Sequence, residues 1–333
     1  MNASSWVGRR RWPRGRHLLA LLLLAGYLAP SSAAPAPLAA HGPPPAGLSA
    51  SEWQEVLAQL RAADPQALAG WEQEVRLIAA DGQAGDQFGV SVAVDGNLLV
   101  VGASQASVGG DDNQGAAYLF ARHQGGPNAW GLVQKLTASD GLANDYFGFS
   151  VAVSGDKILV GAPWAEILGE QDYGAAYLFA RNKNGPDQWG QVVKLISWTG
   201  AAGDRFGYAV ALSGDIALVG APWAAVGPNP DQGAAYVFAR NQGGLADNWG
   251  QVQKLAGSEG ANASYFGSAL ALSGGTAVVG AWGEDVGGTA GAGAAYVFAR
   301  NQGGVADSWD QVKRLAATVP GAYHRFGWSV AID

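Results

Sequence analysis

The sequence predicts an all-β chain built from repeated four-stranded units, and three observations carry that expectation. A Phe-Gly pair recurs at Phe88, Phe147, Phe206, Phe266 and Phe326, at intervals of 59, 59, 60 and 60 residues, and a fixed period of that length marks a repeat architecture. Within each period, short runs in which Val, Ile, Leu, Phe and Tyr alternate with Gly, Ala and Ser are separated by Gly, Asn, Asp and Pro, the pattern of strands and turns. With 50 Gly among 333 residues the chain has the turn residues such an array needs, and a hydrophobic content of 48% supplies a large core.

Residues 147–195 show the unit as FGFSVAV, the turn SGD, KILVGAPW, a loop, GAAYLFARN, a second loop and WGQVVKL. Alternation in the first strand puts Phe147, Phe149, Val151 and Val153 on one side and Gly148, Ser150 and Ala152 on the other. One such sheet cannot bury both faces alone. Radial stacking presses the bulky face of one sheet on the small face of its neighbour, the arrangement of β-propeller blades. Ser154-Gly155-Asp156 and Ser213-Gly214-Asp215 mark hairpins between the first and second strands. Trp130, Trp189, Trp249 and Trp309 each stand six residues before a Leu, and an aromatic repeated in every unit is a packing residue.

The Phe-Gly pair followed fourteen residues later by Gly-Ala-Pro, at 161–163 and 220–222, resembles the FG-GAP repeat. The resemblance covers residues 71–333 and implies the β-propeller of integrin α subunits, a fold also found in secreted bacterial proteins. It further implies calcium held by a D-x-D-x-D-G-type loop between the first two strands. Here the chain departs from the family: Asp95-Gly96-Asn97, Ser154-Gly155-Asp156, Ser213-Gly214-Asp215 and Ser273-Gly274-Gly275 are too short and too poor in oxygen to surround a cation that takes six or more ligands. No metal and no cofactor is therefore expected. The resemblance implies seven blades, whereas this chain carries four whole repeats, a fourth strand at 71–77 (WEQEVRL) and a first strand at 326–332 (FGWSVAI). An incomplete ring is expected, its end blades exposing apolar faces at about 25 cal/mol per Å² and inviting self-association.

Ahead of the repeats, Arg9, Arg10, Arg11, Arg14 and Arg16 precede an apolar run over 18–29 and then small residues, which reads as a signal peptide over 1–34. The run falls short of the roughly 20 residues a membrane span needs. Residues 35–50 read as a Pro/Ala-rich linker. Residues 51–64 read as a short helix, with Ser51 and Gln54 as a capping box, Trp53, Val56, Leu57 and Leu60 at helical spacing, and Asp64-Pro65 as the stop. The mature chain is expected to be secreted or at the cell surface, without a membrane span. Cysteine is absent, which removes disulfides, thiol catalysis and Cys-ligated zinc. A net charge of −7, with no basic run beyond the leader, argues against nucleic acid as a partner.

Catalytic patterns are missing. His17, His41, His123 and His324 are scattered, Gly89-Val90-Ser91 lacks the second Gly of a nucleophile elbow, and no phosphate loop or paired carboxylates stand out. Asp86, Asp145 and Asp204 each lie two residues before a Phe-Gly pair, with Ser264 and His324 in the later copies; they are expected to accept backbone N–H bonds where the strand begins. The loops after Gly-Ala, at 104–114, 164–173, 223–232 and 282–292, vary between repeats and would project from one face. Variable loops on a rigid scaffold carry binding. Trp164 and Trp223 occupy equivalent positions and Trp282 lies one earlier, so these three are the candidate ligand-binding residues, suited to stacking on a sugar or anchoring a peptide. The bland reading has them fold down over the neighbouring blade. The expected function is a non-catalytic binding or adhesion module for an extracellular protein or glycan. Its competitor is a passive scaffold, or a piece of a larger surface protein, with no ligand of its own.

Overall fold

A computed structural model describes residues 75–333 other than 128, 243, 244, 246 and 302–306, together with 49, 51, 53–55 and 58. They belong to two units, Met1–Arg76 and Leu77–Asp333. In the first, residues 51, 53–55 and 58 are helical, but Ser51 already lies within the helix: the Trp53 N–H donates to the Ser49 carbonyl at 3.0 Å, so Ser51 does not cap it. The signal peptide, nearly all of the linker, and residues 71–74 lie outside the described residues. Among the described residues no helix is long and apolar enough to cross a membrane.

The second unit is an all-β, propeller-like array of four blades, each a four-stranded antiparallel meander. The first blade comprises β1 (Phe88–Asp95), β2 (Leu98–Ala103), β3 (Ala116–Arg122) and β4 (Trp130–Leu136); the second β5 (Ser150–Ser154), β6 (Lys157–Ala162), β7 (Ala175–Ala180) and β8 (Gly190–Leu195). The third comprises β9 (Ala209–Ser213), β10 (Ile216–Ala221), β11 (Ala234–Ala239) and β12 (Gly250–Leu255); the fourth β13 (Phe266–Ser273), β14 (Thr276–Ala281), β15 (Ala294–Arg300) and β16 (Trp309–Ala316). The strands are those the alternating pattern marks. Each outer pair carries one register shift at the same place, at Leu119/Phe120, Leu178/Phe179, Val237/Phe238 and Val297/Phe298. Such bulges increase the local twist.

The core lies between blades rather than within them. Val100, Leu119 and Leu136 of the first blade meet Val151, Val153, Val160, Tyr177 and Phe179 of the second. The second meets the third in the same way through Leu159, Leu178 and Leu195 against Val219, Tyr236 and Phe238. Each large side chain so buried contributes about 1.5–3 kcal/mol. At the rim, Gln134 pairs with both backbone groups of Trp189, accepting at 3.2 Å and donating at 2.9 Å, and Gln253 does the same for Trp309.

The blades are clamped by the two glycines of the repeat. The Phe-Gly segment opening each copy crosses back to the preceding blade. Phe147, Phe206, Phe266 and Phe326 donate their N–H to the carbonyls of Gln114, Tyr173, Gln232 and Ala292 at 2.8–3.0 Å. There the glycine carbonyl meets the Gly-Ala strand. A Cβ on Gly102, Gly161, Gly220 or Gly280 would lie 1.9–2.0 Å from the carbonyl oxygen of Gly148, Gly207, Gly267 or Gly327, so no side chain fits. The Phe-Gly glycines in turn have φ between 81° and 94°, a region that favours glycine. In the first two blades a serine strengthens the joint, Ser91 and Ser150 donating to the Gly148 and Gly207 carbonyls at 2.8 Å.

Both end strands depart from expectation. Phe326 makes its clamp, a single parallel bridge to Gly293, but residues 327–333 form no strand, and residues 75–77 form none either. A strand needs a neighbour for its N–H and C=O groups, and the described residues supply no second strand to pair with either. The outer faces are correspondingly open: Val92 and Val94 of β1 are 65% exposed where Val151 and Val153 are 9%, and Leu315 is 38% exposed where Leu136 is buried.

The clamp makes a sharp distinction between glycines. Gly161→Ala should destabilise the array by about 3 kcal/mol or more, because its Cβ meets backbone rather than a movable side chain. Gly155→Ala, where φ is 57° but the surroundings are open, should lose only about 1 kcal/mol. Urea midpoints of the two variants decide it, and equal losses would remove the clamp.

Candidate binding face

The residue before each Phe-Gly pair is held in the left-handed region: Gln87, Tyr146, Arg205, Tyr265 and Arg325 have φ of 54–56°. Two contacts support this, both at Tyr146, Arg205 and Tyr265, the second alone at Gln87 and the first alone at Arg325. The N–H of Tyr146, Arg205, Tyr265 and Arg325 donates to the carbonyl of Asn113, Asp172, Asp231 and Gly291 in the preceding blade's loop, at 3.0–3.2 Å. One position earlier, a short polar side chain closes the turn: Asp86, Asp145, Asp204 and Ser264 accept the N–H of Gln83, Leu142, Ala201 and Ala261 at 2.8–3.0 Å. This is the role the sequence assigns them. Burial pushes the Asp145 and Asp204 carboxyls up in pKa, against the opposing pull of the Leu142 and Ala201 N–H groups.

So presented, these side chains meet the tryptophans of the Gly-Ala loops. Trp164 packs on Tyr146 at 4.8 Å, on Phe149 at 5.1 Å and on the Arg205 guanidinium of the next copy at 5.2 Å. Trp223 packs on Arg205 at 4.5 Å, Tyr208 at 5.0 Å and Tyr265 at 5.8 Å. Trp282 stacks on Tyr265 at 4.4 Å with the rings 12° from parallel, and meets Arg325 at 5.0 Å and Trp328 at 5.2 Å. Phe149 and Tyr208 join the first two groups at 4.9 Å. The three predicted tryptophans thus lie in one belt of aromatic rings and two arginines. Each is half-buried, leaning on its neighbours with part of its ring in solvent. In the first blade Gln105 stands where Trp164 stands in the second, and the belt begins only after it.

Tyr146, Phe149, Arg205, Tyr208, Tyr265, Arg325 and Trp328 are the belt residues that sequence reasoning missed. Their signal was the variation immediately around a Phe-Gly pair that does not vary. Arg205 stands out among them. Its guanidinium lies between two indoles, its Nε is buried without a hydrogen-bond partner, and the nearest carboxylate, Asp172, is 3.7 Å away, beyond hydrogen-bond reach.

Beside Trp282 the fourth blade carries a buried carboxylate. Glu284, 1% exposed, stands where the other blades have Ala106, Ala165 and Ala224. It accepts from the Tyr296 hydroxyl at 2.6 Å and from Arg314 Nε and Nη2 at 2.8 and 2.6 Å. Burial, reinforced by this bond, pushes the Tyr296 phenol up.

The opposite end, formed by the first hairpins and the loops before the fourth strands, is built differently. Arg181, Arg240 and Arg300 pair with Asp187, Asp247 and Asp307 of their own blades. Cavities of about 220 and 530 Å³ open there, lined by such pairs and by Asn182 and Asn241. Among the described residues no group of three or more His, Asp or Glu is placed to hold a metal ion.

The FG-GAP repeat family model matches residues 71–120, 130–179, 189–238 and 249–298, about three-fifths of the chain. The last three matches begin at or just before a fourth strand, and all four end in the third strand of a blade. No curated protein matches the chain. Among solved structures, that of Sqt1 from Chaetomium thermophilum is similar over 65% of this chain, with 12% identity and a TM-score of 0.39; the chain spans 44% of that one.

Two outcomes are expected from the charged groups. The folded-state pKa of Asp204 lies above the unfolded value of about 3.9, so its contribution to stability is complete below that value and is lost as the pH rises through the folded pKa. Asp204→Asn keeps an oxygen for the Ala201 N–H and should flatten that decline in urea midpoints taken from about pH 3 to about pH 7; an unchanged slope would contradict it. Glu284→Ala should destabilise by about 2–3 kcal/mol because it removes the acceptor of the buried Tyr296 hydroxyl and leaves Arg314 only its contact with Glu259 at 3.4 Å. Adding Arg314→Lys recreates the Ala224 and Lys254 of the third blade and should recover most of the loss in the same measurement.

Proposed function

The chain belongs to the FG-GAP repeat family, and from that premise we propose that it is an exported, non-catalytic binding module that holds a protein or a glycan on the belt face. The observation that carries this is the belt itself. Residues from the loops that differ between repeats meet in one continuous row, with Trp164, Trp223 and Trp282 half in solvent, on a scaffold whose backbone is clamped beneath them. Rigid aromatic surface binds with little loss of conformational freedom. The non-catalytic reading is supported by what the acids below the belt do: Asp145 and Asp204 are committed to turn N–H groups rather than aimed at a substrate. Export is supported by the arginine-led apolar leader over 1–34.

Arrays of glycans and of extracellular-type peptides, probed with the full chain, test the reading. Ligands retained by the wild type and by Asp247→Ala, at the opposite end, should be lost on replacing Trp164 and Trp223 by Ala while the urea midpoint shows the array still folded. Equal retention by all three proteins would place binding elsewhere and favour the passive scaffold.

A further inference from the structure

Resting on the belt as the binding face, the geometry points to a definite ligand class: we infer that Trp164, Arg205, Asp172 and Trp223 form a subsite for a neutral oligosaccharide. Two sugar rings would lie against the exposed parts of the indoles, and a sugar hydroxyl would bridge Arg205 and Asp172.

Three observations select this ligand. The first is the Arg205 and Asp172 pair. Arg205 Nη2 and Asp172 Oδ2, on part-exposed side chains 3.7 Å apart, are paired in charge but beyond a direct hydrogen bond. A group that both accepts and donates fits between them, and a hydroxyl does both, whereas an anion would only accept and would face the Asp172 carboxylate. The second is the charge of the surrounding loops. Asp111, Asp112, Glu166, Glu170 and Asp285 are exposed in the Gly-Ala loops of the same face, on a chain of net charge −7. They disfavour an acidic polymer, and Arg205 and Arg325 between the rings occupy the places a cationic ligand would take. The third is shape. Belt rings meet at 4.4–5.8 Å, mostly tilted or edge-on with only Trp282 and Tyr265 near parallel, and Trp164 and Trp223 each keep part of an indole in solvent. Peptide recognition relies on side chains that fill pockets, and the cavities described above lie at the opposite end. The apolar face of a sugar ring needs only a flat aromatic partner.

The row also runs on. From Arg205 through Trp223, Tyr265 and Trp282 to Arg325, steps of 4.4–5.8 Å repeat the alternation of ring and guanidinium. An extended chain of sugars engages more of it than a single residue does.

The test is titration of the full chain with mannan, laminarin, chitohexaose and polygalacturonate, read by indole fluorescence and by calorimetry, alongside a peptide array. Two variants remove the bridging bonds without disturbing the backbone, because each installs the residue the chain itself uses at the equivalent place. Arg205→Gln copies Gln87 (φ 56°) and Asp172→Asn copies Asn113 (φ 54°). At least one of the neutral glycans should bind, polygalacturonate should not, and each variant should weaken the neutral glycan by about ten-fold, the effect of one charge-assisted hydrogen bond, with an unchanged melting curve. Neutral glycan binding that neither variant alters overturns the subsite. Binding of polygalacturonate alone, or of peptides alone in a manner lost with Trp164→Ala, overturns the sugar assignment but leaves the belt as a binding face. No ligand of any class at the belt overturns both.

Discussion

The structure depends on one close approach of backbone to backbone. Where a Gly-Ala strand passes the Phe-Gly segment of the next copy, the glycine of one blade has the other's carbonyl oxygen about 2 Å from where a Cβ would be. No other residue permits that distance, and no other residue adopts the Phe-Gly glycine's φ without strain. Hydrophobic burial then follows. With the segments locked, the large residues of each third strand, Tyr177 and Phe179 for example, are brought against apolar residues of the blade before, Val100, Leu119 and Leu136 among them, and the interface closes. Burial supplies the free energy, and the glycines set where it can be gained.

The same approach determines where side chains can vary. The tight turn before each Phe-Gly pair, joined by the crossing hydrogen bond in the last four copies, holds the preceding residue in the left-handed region whatever its identity, so Gln87, Tyr146, Arg205, Tyr265 and Arg325 share one backbone conformation while differing in chemistry. A position whose conformation is imposed from outside is free to change its side chain. That is how a repeat with rigid geometry presents a row of different groups, and why the row is ordered without pockets. The opposite end has no such constraint, and there the arginines satisfy themselves with aspartates of their own loops.

Much of this was legible in the residues, and the failures share a physical cause. Alternation and the turn residues located the sixteen strands seen among the described residues, because strand periodicity is a local property. The acceptor role of Asp145 and Asp204 was legible for the same reason: the N–H that each receives is three residues away. Trp164 and Trp223 were recognisable as equivalent, with Trp282 one position earlier, yet the arginine and tyrosine partners between them were not, since the contacts join residues 15–18 or some forty positions apart on different strands and loops. The tryptophans do fold onto their neighbours, and each ring still presents an edge or a face to water. The end strands failed for a related reason: FGWSVAI has the alternation of its siblings, but alternation does not supply a partner strand. Glu284 was invisible because its meaning lies in three alanines that occupy its place in other blades and in an arginine thirty residues on.

The match to the family explains why the fifth Phe-Gly pair forms its clamp without forming a strand. The matched segments 130–179, 189–238 and 249–298 do not coincide with blades; each takes the outer strand of one blade, the crossing segment and the first three strands of the next. The repeated unit is therefore an interface. A blade alone has two apolar faces and few local means of burying either, so stability resides in nearest-neighbour contacts, as it does in other stacked repeats. Under that arrangement the crossing segment belongs as much to the blade behind it as to the blade ahead. Phe326 and Gly327 complete the fourth blade's contacts with Gly293 and Gly280, needing nothing beyond them, while Trp328 beside them extends the belt by one more ring. Clamp and belt are thus made by neighbouring residues of one segment, and the side chains that vary are carried by the backbone that cannot.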